Sequence, residues 1–147
     1  MNINQFSRRM IELLPRMIRG IAQRESNYLS RGKITFPQLW VMERLSHQDR
    51  CPMNELAHFL KVTRPAATGL VDRLIAQGLV SREGDSRDRR IVRVRLTPKG
   101  RRILSDIWEQ KRRMLQEVFG RIAPARRQQY LQTLEQVVQI LGEGNVP

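Results

Sequence analysis

Apolar residues along this chain recur at two different periods, and the change between them divides it into elements. Met10, Leu13, Leu14, Met17, Ile18 and Ile21 fall at helical spacing. They predict a first helix that extends to about Leu29, with Gly32 as its stop. Pro15 lies inside that pattern and predicts a kink, a break or the helix's true start. A second helix begins at Thr35-Phe36-Pro37, with Thr35 as N-cap, and runs through Leu39, Met42 and Leu45. The stretch His47 to Pro52 reads as a loop. Met53, Leu56, Ala57 and Leu60 then stand at i, i+3, i+4 and i+7, which predicts a short helix with one apolar face. After Lys61-Val62, Thr63 caps another helix, and Pro65 is tolerated in its first turn. Its apolar back is Ala67, Leu70, Val71, Leu74 and Ile75, and Gly78 ends it. Its front carries Arg64, Pro65, Thr68, Gly69, Asp72 and Arg73, a face slender enough to enter a groove.

Beyond Gly78 the period shortens. Leu79 to Arg82 leads into the turn-like segment Gly84 to Arg90, after which Val92, Val94 and Leu96 alternate with Arg93 and Arg95. Alternation of that kind predicts a strand with one buried face, and two strands around a Gly/Asp/Ser turn make a hairpin. Helical spacing returns at Thr97-Pro98, Thr as N-cap and Pro in the first position. The long helix that follows includes Leu104, Ile107, Trp108, Leu115, Val118 and Phe119. Pro124 opens a last helix with Leu131, Leu134, Val137, Val138 and Leu141, closed by Gly142 and Gly144.

Charge sharpens this outline. The 147 residues carry 27 basic against 14 acidic side chains, a formal net charge of +13. Only Lys33, Lys61, Lys99 and Lys111 are lysines, so the rest are arginines, whose planar fork suits phosphate and guanine. An excess this large calls for an anionic partner, and nucleic acid is the commonest. Nine basic residues against three acids lie between Arg82 and Arg102. Cys51, the single cysteine, excludes an intramolecular disulfide framework and a cysteine-based zinc ribbon. No apolar run approaches the roughly 20 residues of a membrane span. Arg8, Arg9 and Glu12 interrupt the N-terminus where a signal peptide would be apolar, so a cytoplasmic protein without membrane contact is expected.

Two short helices across a tight turn, followed at once by a basic hairpin, form a winged helix-turn-helix. The major groove admits an α-helix, and arginines on the hairpin can enter the narrower minor groove. The expected fold is mainly α (α+β), with about six helices and a two-stranded β-wing. Residues Glu55-Leu56-Ala57, Val62-Thr63-Arg64, Leu70 to Leu74, Gly78-Leu79-Val80, Asp85 to Arg90 and Leu96 to Gly100 resemble the multiple-antibiotic-resistance regulator (MarR) family. The likeness is strong from about Thr35 to Leu104, and the wing run is its most specific part.

That resemblance implies a transcription regulator that binds a pseudo-palindromic duplex operator as a homodimer, as a repressor released by a small aromatic acid or phenol. It implies an N-terminal dimerisation helix over residues 1–34 and a DNA-binding domain over 35–97, with recognition helix 63–78 and wing 79–97. Residues 98–147 would supply further dimerisation helices. By position it assigns Thr63, Arg64, Pro65, Ala66, Thr68 and Gly69 to base reading and Arg90 to the minor groove. Arg73 joins the DNA-facing set, Arg87 and Arg89 are phosphate neighbours, and Asp88 is the wing acid that orients an arginine. This chain departs from the family at Lys61, where glycine usually supplies a positive φ. It departs again at Pro65, Ala66, Ala67 and Gly69, which leave fewer groups to bond base edges and shift weight to Arg64, Thr68 and DNA shape.

Other readings weighed against these are weaker in chemistry. His47, Asp49, Cys51 and His58 match no structural zinc spacing, so no metal or cofactor is expected. Cys51 beside Arg50 is a redox candidate only if its thiol is acidified. Trp40, Trp108 and Tyr28 are candidates for lining an effector pocket as well as for core. No Ser/His/Asp or Cys/His set is present, which argues against an enzyme. An RNA- or ribosome-binding module, a protein-contact winged helix and a ligand-independent regulator remain as alternatives.

Overall fold

The computed structural model describes residues 1–143. The chain forms two compact units, Met1–Lys111 and the part from Arg112 onward. In the first, α1 (Ile3–Ala22) starts at a capping box, in which Asn2 Oδ1 accepts the Gln5 N–H and Gln5 Oε1 accepts that of Asn2. Two expectations are corrected here. Pro15 neither breaks nor begins the helix, which runs through it. No residue of α1 is buried, so the carbonyl that proline leaves without a donor can turn to solvent. The helix also ends at Ala22 rather than near Leu29. Beyond it Asn27 Oδ1 accepts the N–H groups of Leu29 and Ser30, both at 3.0 Å, a side-chain alternative to the helical ladder.

Helix α2 (Phe36–His47) repeats the capping box with Thr35 and Gln38 and buries Leu39, Val41, Met42 and Leu45. The expected loop before α3 contains instead a strand, β1 (Cys51–Pro52). Two residues are too few to show a period, and a proline has no N–H to offer a ladder, so it is admitted only at a sheet edge. Helix α3 (Met53–Leu60) and helix α4 (Arg64–Ala76) follow, with the Thr63 hydroxyl accepting the Ala66 N–H at 3.3 Å. Between them Lys61 sits at φ 54°, the only non-glycine residue with positive φ among the described residues. The left-handed conformation costs about 1–2 kcal/mol, which the N–H bonds of Lys61 to His58 and of Val62 to Ala57 help offset.

Strands β2 (Val80–Gly84) and β3 (Val92–Leu96) form the wing, paired Val80 with Leu96 through Gly84 with Val92. Strand β1 adds to the far side of β3, so the sheet has three antiparallel strands in the order β1-β3-β2 rather than the expected two. Val94 and Leu96 face the core while Arg93 and Arg95 stay on the wetter side. Ala67, Val71 and Leu74 of α4 join Leu56, Met42, Leu45, Leu79, Val94 and, from the next helix, Leu104 and Ile107 in one buried cluster. Fully burying a large aliphatic side chain contributes roughly 1.5–3 kcal/mol, so this cluster fixes α4 from behind.

Helix α5 (Pro98–Gly120) is tied to the end of α4. Gly78, at φ 71°, turns the chain, and Thr97 donates its hydroxyl to the Gly78 carbonyl at 2.6 Å while accepting the Gly100 N–H at 3.0 Å. The Thr97 N–H reaches the Leu79 carbonyl at 3.1 Å, and Lys99 Nζ that of Gln77 at 2.9 Å. In the second unit the end of α5 meets α6 (Pro124–Glu143), with the Phe119 and Tyr130 rings 5.3 Å apart. Gly142 lies within α6 rather than closing it, and Gly144 lies outside the described residues.

Gly100 and Gly69 separate packing from propensity. A Cβ on Gly100 would overlap the Leu79 carbonyl and press on Leu96, whereas one on Gly69 meets nothing. Thermal unfolding of Gly100→Ala is expected to show a loss of about 1–3 kcal/mol. Gly69→Ala should gain up to about 1 kcal/mol from helix propensity. Equal melting temperatures for the two would contradict this packing.

Candidate nucleic-acid interface

The apolar back of α4 leaves its front outside. Arg64, Pro65, Ala66, Asp72 and Arg73 are exposed, and Thr68 and Gly69 are half-buried. Thr63 is occupied by its capping bond, so its hydroxyl has one task already. Arg64 and Thr68 line a small crevice of about 160 Å³ together with Met53, Arg82 and Val92, where the helix front meets the base of the wing. Arg82 on β2 forms an ion pair with Asp72 on α4, which ties the two elements together. Sequence reasoning counted Arg82 only as charge. A partner ten residues away on another element leaves no periodic signal.

The wing arginines divide into two sets. At its base Arg95 pairs with Glu83 at 3.1 Å and Asp49 at 3.5 Å, and Arg50 pairs with Glu83 at 3.4 Å. Arg101 of α5 also reaches Asp49, at 3.2 Å, and Arg93 pairs with Asp85 at 2.9 Å. At the tip Arg87, Arg89 and Arg90 are exposed. Among the described residues no side-chain hydrogen bond or ion pair engages them, nor Arg64 or Arg73 on α4. Five guanidiniums are thus open to an anion on two adjoining elements.

Asp88 accepts the Arg90 backbone N–H at 2.9 Å rather than gripping an arginine side chain. Within the same turn, Asp85 does hold one, that of Arg93. The N–H of Arg87, the Arg93 side chain and the N–H of Asp88 all stabilise its carboxylate and lower its pKa below the ordinary value. Asp85 was missed as a site residue, although a Gly-Asp-Ser run is a known signal for a side chain that closes a turn.

The other candidates scatter. Among the described residues no three His, Cys, Asp or Glu side chains gather to hold a metal, and Asp49 is engaged by arginines. Tyr28 packs on the core, Trp40 is exposed, and Trp108 borders a cleft with α2. Cys51 is wholly buried on β1, 3.7 Å from a Glu55 carboxylate oxygen. Burial, and then the Glu55 charge, raise its pKa, with Arg44 opposing, so the thiol is not acidified. Among the described residues no helix is long and apolar enough to cross a membrane.

A recognition helix braced by α3, beside a wing with free arginines, defines a winged helix-turn-helix DNA-binding protein. The sequence model of the MarR family matches residues 34–92. The HTH-type transcriptional regulator YsmB of Bacillus subtilis is 30% identical over 99 residues, covering 67% of this chain and 68% of YsmB. A MarR-like transcriptional regulator of Thermotoga maritima superposes with a TM-score of 0.72 at 26% identity, over 97% of this chain and 98% of that one. FabT of Streptococcus pneumoniae, solved in complex with DNA, shares the fold at a TM-score of 0.78 and 17% identity, over 98% and 100% of the two chains. The chain belongs to the MarR family of DNA-binding transcriptional regulators.

The geometry of Cys51 makes a direct statement about its chemistry. A raised pKa keeps the thiol protonated until the solution is more alkaline than an ordinary thiol needs. At pH 8 the native protein should react with an aromatic disulfide reagent about a hundredfold more slowly than the unfolded chain. Native reactivity at the unfolded rate would restore Cys51 as a redox candidate.

Proposed function

We propose that this regulator is a homodimer that reads a pseudo-palindromic operator and represses until a small organic acid releases it. The observation that carries the DNA-reading part is the set of open guanidiniums. Arg64 and Arg73 on the helix front and Arg87, Arg89 and Arg90 at the wing tip have no carboxylate, while the arginines behind them are paired. Thr63, Pro65, Ala66, Thr68 and Gly69 complete the helix surface that enters the major groove, and the tip enters the minor groove. Asp88 orders Arg90 from the backbone side.

The dimer is supported by apolar surface. Phe6, Leu13, Leu14, Met17 and Ile18 are exposed on α1, and Leu131, Leu134, Val137, Val138 and Leu141 are exposed on α6. Faces of this size commonly mark an interface, and a two-fold copy matches a two-fold operator. An effector site is supported by a cleft of about 630 Å³ lined by Glu43, Ser46, His47, Leu96, Arg101, Leu104, Ser105 and Trp108. Arg101, whose Nη2 holds Asp49, has further guanidinium donors to offer a carboxylate, and Trp108 and Leu104 offer apolar walls. Burial raises the Glu43 pKa against the pull of His47 and Lys111.

The DNA reading is tested by titrating Arg64→Ala and Arg90→Ala against operator and scrambled duplex across a salt series, with sedimentation of the same samples. Arg64→Ala should cost roughly 1–3 kcal/mol on operator and little on scrambled duplex. Arg90→Ala should weaken both and flatten the salt slope by about one. A monomer that binds operator with undiminished affinity would overturn the dimer.

The effector reading has its own measurement. Benzoate-type acids should raise the melting temperature and weaken operator binding, and Arg101→Ala should lower their affinity about tenfold, in line with a lost charge-assisted bond. Acids that change neither quantity would leave a ligand-independent regulator.

A further inference from the structure

Between Gly84 and Val92 the wing leaves its strand ladder. Three free guanidiniums crowd that tip, and their repulsion favours an open loop. Ordering each such residue costs backbone entropy. One side chain opposes this. Asp85 Oδ1 accepts the N–H groups of Arg87 at 2.8 Å and Asp88 at 3.2 Å, and Oδ2 accepts Arg93 Nε at 2.9 Å. Its own N–H reaches the Ile91 carbonyl at 3.0 Å, which in turn brings Ile91 N–H to the Asp88 carbonyl at 3.0 Å. The Asp85 side chain is only 15% exposed, tucked beneath the loop rather than out with the arginines.

We propose that Asp85 is a positioning residue for DNA binding: its Oδ1 turn preforms the wing tip so that Arg87, Arg89 and Arg90 meet the duplex already ordered. The inference rests on the reading of the tip as a DNA contact. Asp85 itself touches no DNA. Preorganisation moves the entropy cost from binding to folding, so removing the turn weakens every complex the tip makes. Plain electrostatics gives the opposite sign, because an acid beside a phosphate-binding edge repels DNA and its loss would tighten binding.

The test measures affinity for operator and random duplex across salt for Asp85→Ala, Asp85→Asn and the triple variant Arg87→Ala/Arg89→Ala/Arg90→Ala, alone and combined with Asp85→Ala. Asp85→Ala should bind both duplexes about tenfold more weakly with the salt slope unchanged, since the same contacts form at a higher ordering cost. Asp85→Asn keeps an oxygen acceptor for the two N–H groups and should bind as tightly as wild type or tighter. In the triple variant, which should itself bind more weakly, Asp85→Ala should add no further loss. Amide exchange gives a readout that needs no variant: the Arg87 and Asp88 N–H groups of the wild type should be protected.

Tighter or unchanged binding by Asp85→Ala overturns the proposal, as does unprotected exchange at those two amides. Asp85→Asn as weak as Asp85→Ala also overturns it, because the Arg93 pair would then be the positioning contact. If the triple variant binds like wild type, the reading of the tip as a DNA contact fails, and the proposal with it. If the triple variant weakens binding and Asp85→Ala does not, only the role of Asp85 falls.

Discussion

The turn that ends the recognition helix leaves its own carbonyls in need of donors, and the start of the next helix supplies them. Gln77, Gly78 and Leu79 present three carbonyls in succession, and Lys99 Nζ, the Thr97 hydroxyl and the Thr97 N–H take one each. The same hydroxyl accepts the Gly100 N–H and so starts α5. One residue therefore terminates the wing, caps the following helix and closes the helix that faces DNA. Gly100 is required by the closeness of that junction, because its backbone lies against Leu79 with no room for a side chain. The front of α4 keeps its direction because its end is fastened here and its back is buried against Leu56, Leu79 and Val94.

Electrostatics is arranged around that frame by separation rather than by amount. The net charge of +13 says that an anion is wanted but not where it goes. In the structure Arg82, Arg93, Arg95 and Arg101 are each committed to a carboxylate, and such exposed pairs contribute at most about 1 kcal/mol apiece. Their effect is as much geometric as energetic. They neutralise Asp49, Asp72, Glu83 and Asp85, which would otherwise repel phosphate.

Most of the helix-turn-helix was legible because burial on one face imposes a period. Thr35, Thr63, Pro98 and Pro124 mark helix starts where the sequence places them, and the alternation from Val92 to Leu96 is strand β3. What escaped had a non-local cause. Helix α1 ends at Ala22 because the Asn27 side chain takes over backbone donors further on, a preference no hydrophobic pattern carries. Strand β1 exists because β3 has a free edge, which Cys51-Pro52 does not announce. Among the site residues, Arg64 and Arg90 stand exposed on the elements expected of them. Asp85 and Arg82 act through partners on other segments, and spacing alone could not pair them. Asp88, the acid expected to orient an arginine, meets Arg90 at its backbone N–H, while the Arg93 side chain goes to Asp85.

Gly69 has a consequence for how this protein can change over time. It sits in the middle of the helix front with nothing within 4 Å of a side chain that might be added, and Ala66 beside it is exposed. Neither position contributes to the core, so neither is constrained by it. On the proposed reading of this front as the operator contact, preference can drift through substitutions at these two places without eroding the scaffold, and a duplicated copy could acquire a new set of target genes in a few steps.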